Sequence, residues 1–272
     1  MATQAEKAQR FRALHERPGA FIIPNPWDIG TAKLLQHAGF EALATTSAGY
    51  AYSIGKPDGA VDRDTMLAHA AQLAAATDLP LSADLENGYA DDPGDVAETV
   101  RLAAAAGLAG CSIEDLPLGR EGAPYEIAFA AERIRAAAEA AHALPFPFVL
   151  TARAENFIAD RPDLGDTIAR LQAFQEAGAD VLFAPGLRTK DDIRAVVQSV
   201  DRPINVIMGL QGVQLTLTDL AELGVKRVSV GSALSRAALG AFLSAAYEMR
   251  DHGTFTFSQT AAKYPEMNAI FA

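Results

Sequence analysis

Ala106-Gly107-Leu108-Ala109-Gly110-Cys111-Ser112-Ile113 carries the unit from which the fold can be read. A helical stretch ends at a glycine, and a few residues later a short apolar run begins. Glycine closes a helix well because it takes the left-handed conformation at no steric cost. The unit recurs as Ala38-Gly39 before Ala42-Leu43-Ala44-Thr45, Ala177-Gly178 before Val181-Leu182-Phe183, and Leu223-Gly224 before Arg227-Val228-Ser229-Val230. Four more apolar runs complete the series: Phe21-Ile22-Ile23, Leu79-Pro80-Leu81-Ser82-Ala83, Phe148-Val149-Leu150-Thr151 and Ile204-Asn205-Val206-Ile207. Runs this short and this apolar read as buried parallel strands. Between them lie helical patterns with start signals at Asp28, Asp62, Asp92-Pro93 and Thr218-Asp219, and an alanine-rich helix over 128–143. Eight strands, each followed by a helix in about 250 residues, predict an α/β fold of the (β/α)8 barrel kind. A doubly wound sheet would alternate too, but no strand is followed by a Gly-x-Gly-x-x-Gly turn. No linker or low-complexity tract divides the chain. One domain over 1–272 is expected, with 251–272 a C-terminal extension whose Phe255, Phe257, Tyr264, Ile270 and Phe271 are apolar enough to pack.

Composition narrows the function classes. The chain has 272 residues, 50% of them apolar and 21% charged, the balance of a soluble globular protein with a large core. No run reaches the roughly 18 apolar residues of a membrane span. The polar start over 1–12 does not resemble a secretory signal, so a cytoplasmic protein is expected. A net charge of −11 argues against nucleic acid as a partner. A single cysteine, Cys111, excludes an internal disulfide and a thiolate metal cluster. Its apolar neighbours point to a buried structural thiol.

A barrel places its chemistry at the C-terminal ends of the strands. There the chain reads Thr45-Thr46-Ser47-Ala48-Gly49, Asp84-Leu85-Glu86-Asn87-Gly88, Glu114-Asp115, Arg153-Ala154-Glu155-Asn156 and Gly231-Ser232, with Asn205 inside the seventh strand. Asp84 and Glu86 share a face if the third strand continues through them. With Glu114 they offer an all-oxygen site suited to Mg²⁺ or Mn²⁺. The competing reading makes Glu86 a loop cap and Glu114 a structural partner of Arg153. The histidines (15, 37, 69, 142 and 252) fall in helical or terminal segments, which leaves no zinc hydrolase site. The lysines avoid strand interiors and ends, against a Schiff-base aldolase, with Lys56 and Lys190 nearest the rim. Asp28 reads equally as a helix cap or a rim residue, and Trp27 as a packing anchor or a rim residue.

These motifs resemble the isocitrate lyase/phosphoenolpyruvate mutase superfamily over nearly the whole chain. The resemblance rests on Asn25-Pro26-Trp27-Asp28, Thr45-Thr46-Ser47-Ala48-Gly49, Gly55-Lys56-Pro57-Asp58, Ser82-Ala83-Asp84-Leu85-Glu86-Asn87-Gly88-Tyr89, Ile113-Glu114-Asp115 and Thr151-Ala152-Arg153, in that order and spacing. It implies a (β/α)8 barrel whose last helix is swapped between subunits of a homodimer or homotetramer. It also implies that Asp84 binds Mg²⁺ directly while Glu86 and Glu114 hold metal-bound waters. Thr46, Ser47 and Ala48 match the segment that holds a substrate carboxylate or phosphonate, and Asp58 an acid beside it. Arg153 matches the arginine that stabilises the enolate oxygen, and Asn205 a position that binds the distal carboxylate in some members. Glu86 departs from the aspartate many members carry.

The loop after the fourth strand departs further. It reads Leu116-Pro117-Leu118-Gly119-Arg120-Glu121-Gly122, without the Cys-Gly-His of isocitrate and methylisocitrate lyases or the lysine and asparagine of the mutases. Neither named activity is therefore expected. The least demanding reaction of the type is decarboxylation of an oxaloacetate-like substrate. The expectation is a Mg²⁺-dependent carbon–carbon lyase acting through an enolate on a small 2-oxo or 2-hydroxy dicarboxylate. Its rivals are P–C bond chemistry on a phosphonopyruvate-like substrate and a non-catalytic 2-oxo acid binder.

Overall fold

Eight parallel strands run β1 (Phe21–Ile23), β2 (Leu43–Ala44), β3 (Leu81–Asp84), β4 (Gly110–Glu114), β5 (Val149–Arg153), β6 (Val181–Phe183), β7 (Ile204–Ile207) and β8 (Arg227–Ser229). This computed structural model describes residues 2–117 and 122–272. Each strand pairs with its sequence neighbour from β2 to β8, and β8 returns to β1 with Phe21 opposite Arg227. The seam between β1 and β2 is closed by Ala44 N–H donating to the Pro24 carbonyl at 3.1 Å. Pro24 has no N–H to extend that ladder. Asn25 takes over: its Nδ2 donates to the Thr45 carbonyl, and its Oδ1 accepts from Val230 and Gly231 N–H, all at 2.9 Å. The fold is a (β/α)8 barrel.

The helices are α1 (Gln4–Glu16), α2 (Ile29–His37), α3 (Ser47–Ser53), α4 (Arg63–Ala76), α5 (Pro93–Ala105), α6 (Ile127–His142), α7 (Leu164–Glu176), α8 (Lys190–Gln198), α9 (Leu217–Glu222), α10 (Ala233–His252) and α11 (Tyr264–Phe271). Asp28, Asp62 and Asp92 cap α2, α4 and α5, so the cap reading of Asp28 holds. Thr218 and Asp219 fall in the first turn of α9, whose cap is Thr216, with Asp219 reciprocating in a capping box. The glycines that close helices, 39, 107, 178 and 224, all have positive φ.

Three helices, α1, α3 and α11, lie outside the strand–helix rhythm read from the sequence. The polar N-terminus forms α1, whose Ala8, Phe11 and Leu14 cover the N-terminal mouth of the barrel and pack with Phe21, Val149 and Val181. Residues past β2 turn at once into α3, ahead of α4. At the other end, Ser235 is the one buried residue of α10, while Leu239, Phe242, Leu243 and Tyr247 are exposed. The last turn of α10 reaches His252, so the extension begins inside the helix. In that extension α11 lies against α2, yet Phe255, Tyr264 and Phe271 stay exposed. Among the described residues no helix is long and apolar enough to cross a membrane.

Candidate active site

The segment after β2 forms one wall of a pocket at the C-terminal ends of the strands. Thr46 caps α3, its Oγ1 accepting from Gly49 N–H at 3.2 Å. Gly49 is required there, since a Cβ would lie 2.6 Å from Thr46 Cγ2 and 3.2 Å from Trp27 Cβ. Trp27 thus meets the segment through its Cβ, and it is not one of the residues lining the pocket. Ser47 N–H donates to Asp84 Oδ2 at 3.2 Å, and Ser47 Oγ donates to Asp58 Oδ1 at 3.1 Å. Thr45 Oγ1 accepts from Asp84 N–H at 2.8 Å, which joins the end of β3 to this wall. The segment therefore already grips carboxylates, those of the protein itself.

Arg153, at the end of β5, is the hub of the site. Its Nη1 pairs with Asp84 Oδ1 at 2.8 Å, its Nη2 with Glu114 Oε2 at 3.1 Å and its Nε with Glu155 Oε1 at 2.9 Å. Burial alone would lower its pKa, but Glu155, Glu114 and Asp84 hold it above the ordinary arginine value. The register places Glu114 opposite Arg153, as in-line strand ends require. Glu155 is held in turn through its N–H, which donates to Asp115 Oδ1 at 2.8 Å. Asp115 pairs with Arg170 at 3.0 Å, and burial pushes its pKa up to about 6.

The turn after β3 is strained. Strand β3 stops at Asp84, and Glu86 and Tyr89 both adopt positive φ, 48° and 60°. The expectation that Asp84 and Glu86 share a strand face therefore fails, because the chain leaves extended geometry between them. Glu86 instead lies buried beside Tyr89, while its carbonyl accepts from Glu114 N–H at 2.8 Å. Arg133 on α6, fully buried, secures the turn by donating to the carbonyls of Asn87, Ala90, Asp91 and Glu114. The Tyr89 hydroxyl is buried without a hydrogen-bond partner among the described residues. Burial raises its pKa first, and the charges of Glu86, Asp84, Glu114 and Asp58 raise it further.

Thr46, Ser47, Ala48, Asp58, Asp84 and Arg153 thus line one pocket of about 220 Å³. Glu86 and Glu114 sit behind its floor. Asn205 is not brought to the rim: it lies in the barrel interior, donating to Ser229 Oγ at 3.0 Å and accepting from Arg227 Nε at 2.9 Å. Sequence reasoning missed Arg236, in the first turn of α10, which lines the pocket opposite and donates to Ser232 Oγ at 3.2 Å. Its signal was a basic residue shortly after Gly231-Ser232. Tyr89 and Arg133 were missed as well, and no local pattern marks Arg133. Lys190 pairs with Asp219 at 2.5 Å, away from the pocket, and Cys111 is fully buried. Most of the loop compared with lyases and mutases, residues 118–121, lies outside the described residues. A larger cavity of about 470 Å³ opens at the opposite end, but its His142 and Asp180 pair with each other at 3.1 Å. No catalytic set converges there.

Among the described residues no three metal-ligating side chains form a ready-made cage. The donors are nevertheless hard oxygens in surplus over positive charge: Asp84, Glu86, Glu114 and Asp58 all bear on the Tyr89 hydroxyl, against the Arg153 guanidinium. That set fits a divalent cation that keeps several waters and takes few direct carboxylates.

The sequence model for phosphoenolpyruvate phosphomutase matches residues 11–250. The chain belongs to the phosphoenolpyruvate mutase family. It is an enzyme of the lyase and mutase type found in that family. The crystal structure of a lyase/mutase-type protein from Burkholderia cenocepacia J2315 superposes with a TM-score of 0.96 at 64% identity, covering 99% of this chain and 96% of that one. The oxaloacetate decarboxylase of Paraburkholderia xenovorans LB400 is 30% identical over 83% of this chain and 75% of its own length. A phosphonopyruvate hydrolase bound to oxalate and Mg²⁺ superposes with a TM-score of 0.86 at 26% identity, covering 99% of this chain and 95% of the other.

Proposed function

We propose that this family member is a Mg²⁺- or Mn²⁺-dependent carbon–carbon lyase acting through an enolate on a small 2-oxo or 2-hydroxy dicarboxylate, with oxaloacetate decarboxylation as its reference reaction. The carrying observation is Arg153, a buried guanidinium held by Asp84, Glu114 and Glu155 at the floor of a pocket walled by Thr46, Ser47 and Ala48. Asp84, with Glu86 and Glu114 through water, would hold the cation, which when bound polarises the 2-oxo and adjacent carboxylate oxygens. In the reference reaction the C3–C4 bond breaks and its electron pair becomes the enolate, with the new charge on the C2 oxygen. CO₂ departs, and water supplies the proton to C3. Arg153, immobilised by its ion pairs, faces the growing oxygen charge without having to reorganise. On substrate binding the Ser47 hydroxyl would turn its one proton from Asp58 to the substrate carboxylate. Arg236 adds a second cation across the pocket, which favours a dicarboxylate over a monocarboxylate. Its exposure leaves water to weaken its hold on the departing group.

The rival, P–C bond chemistry, draws support from the likeness to phosphonopyruvate hydrolase. The test is product analysis with added Mg²⁺, with Arg153→Lys protein as the control for uncatalysed breakdown. Pyruvate and CO₂ from oxaloacetate are expected. Phosphate from phosphonopyruvate, with oxaloacetate untouched, selects the rival. Ligand-dependent thermal stabilisation without turnover of either selects a non-catalytic 2-oxo acid binder. The reading takes the enzyme as cytoplasmic and as a homodimer or homotetramer in which the bare apolar side chains of α10 pack against a second copy. It assigns no nucleic-acid or membrane partner.

A further inference from the structure

The barrel interior beneath the pocket is polar, where most barrels of this kind are filled by branched hydrocarbon. Ser82 on β3, Ser112 on β4, Asn205 on β7, and Arg227 and Ser229 on β8 border a cavity of about 80 Å³. It shares Asp84 and Arg153 with the pocket above, so the two spaces adjoin. A water needs roughly 10–15 Å³ of such space, so the cavity has room for several waters or one small ion.

Arg227 sets the sign of that ion. It is 5% exposed, with Nε on Asn205 Oδ1 and Nη2 on Thr151 Oγ1, both at 2.9 Å, and Nη1 3.4 Å from His15 Nε2. All three partners are neutral. His15 Nδ1 lies 2.8 Å from the Phe11 carbonyl, which assigns its proton to Nδ1 and turns the Nε2 lone pair toward Arg227. Burial pushes the Arg227 pKa down to about 9, which still leaves it charged at neutral pH. Among the described residues no carboxylate lies within ion-pair distance of it, and Asp84, Glu114 and Glu155 are engaged by Arg153. A buried charge with hydrogen bonds but no counter-charge is costly. The hydroxyls of Ser82 and Ser112 face the same space, and neither makes a side-chain hydrogen bond among the described residues.

We propose that this interior cavity binds one small monovalent anion, a halide or a carboxylate of formate size, with Arg227 as its counter-charge and the Ser82 and Ser112 hydroxyls as donors. The site lies beneath the substrate cradle and adjoins it through Asp84 and Arg153, and it does not depend on which bond the enzyme cleaves.

The test is the melting temperature of the intact protein against chloride, bromide and formate, with sulfate as the control for salt effects that do not saturate. The three monovalent anions should give a saturable rise of roughly 3–6 °C at ten times their dissociation constant. Arg227→Met should abolish it. Should that variant fail to fold, Ser112→Val, which fills the cavity with methyls and leaves Arg227 in place, should weaken the apparent affinity at least about tenfold by blocking the space. In a crystal of the unmodified protein with bromide, an anomalous peak should lie beside Arg227. A linear rise alike in all four salts, or a crystal without that peak, overturns the site. A saturable rise that survives Arg227→Met and vanishes on Arg236→Gln overturns it too, by moving the anion to the rim pocket.

Discussion

Arg153 is asked to do two things at once. It neutralises three carboxylates in a nearly dry setting, and in the proposed mechanism it faces the charge that an enolate develops. Lysine keeps the charge but loses the planar fork that reaches three partners. Arg153→Lys should therefore lower kcat about 100-fold or more, the scale of a lost oxyanion donor, while KM changes far less. Its melting temperature should fall as well, because Glu114 and Glu155 lose their partner. Normalising kcat to folded protein separates the effects, and a kcat within about threefold of the parent would leave Arg153 with a structural role alone. Asp84 and Glu114 divide differently. Asp84→Ala should remove both Mg²⁺-dependent activity and Mg²⁺-dependent thermal stabilisation, whereas Glu114→Gln should cost roughly 10–100-fold, as an outer-sphere partner does. Equal, small losses from the two changes would contradict the metal assignment.

At the scale of elements, the barrel is held shut at its weakest seam by one side chain. Strands β1 and β2 are three and two residues long, and Pro24 interrupts their ladder. Asn25 spans the gap with three hydrogen bonds, one to the β2 end and two to the backbone after β8. Asn25→Ala leaves those backbone groups without their partner. Each stranded group costs about 1–3 kcal/mol, so a loss of at least about 3 kcal/mol in unfolding free energy is expected. The check is a chemical denaturation midpoint that falls with unchanged slope. The same seam carries Thr45-Thr46-Ser47 on one side and Val230-Gly231 on the other, so activity per folded molecule should fall too. An unaltered midpoint would mean that β1 and β2 need no such staple.

For the whole molecule, two buried histidines set a stability profile in pH. Burial pushes the pKa of His15 down to about 3 and that of His69 to about 4, from 6.5 for a free side chain. His69 stacks on Tyr50 at 3.6 Å between centroids, and its Nε2 is buried without a hydrogen-bond partner among the described residues. Below pH 6.5 the unfolded chain takes up protons that the folded one refuses, so stability falls as pH falls. The slope is about 1.4 kcal/mol per pH unit for each histidine. It levels off near pH 4 for His69 and near pH 3 for His15. Asp115, raised to about 6 in the fold, takes up its proton between pH 6 and 3.8 and there offsets about one histidine. Denaturation at a series of pH values should therefore show a net decline that largely vanishes between pH 6 and 4 in His69→Phe, which keeps the stacked ring. A stability curve flat between pH 6.5 and 5 would be incompatible with both histidines being buried neutral. At the same scale, a sedimentation experiment should find a dimer or tetramer, and Phe242→Glu on the bare side of α10 should shift it toward monomer. A monomeric parent would leave α10 without its cover.

The local signals in the chain were enough for the barrel. Helix-closing glycines, aspartate caps and short apolar runs act within a few residues of themselves, so Gly107 or Asp92 can be read without knowing what lies across the molecule. Strand ends in such a fold converge by topology, which is why Asp84, Glu114, Arg153 and the Thr46–Ala48 segment were legible as one site. What the sequence alone left open depends on contacts between distant residues. The ladder geometry failed after Asp84 because Arg133, on a helix 46 positions from Asn87, binds the turn and bends Glu86 out of the strand. Asn205 reads as a rim residue until its bonds to Arg227 and Ser229 set it in the interior. Arg227 looks like the polar start of a strand, and it is a buried cation only because His15, 212 positions away, closes the barrel beneath it. Local propensity is written in neighbouring residues, but burial and charge balance are properties of packing, and only the tertiary structure decided them.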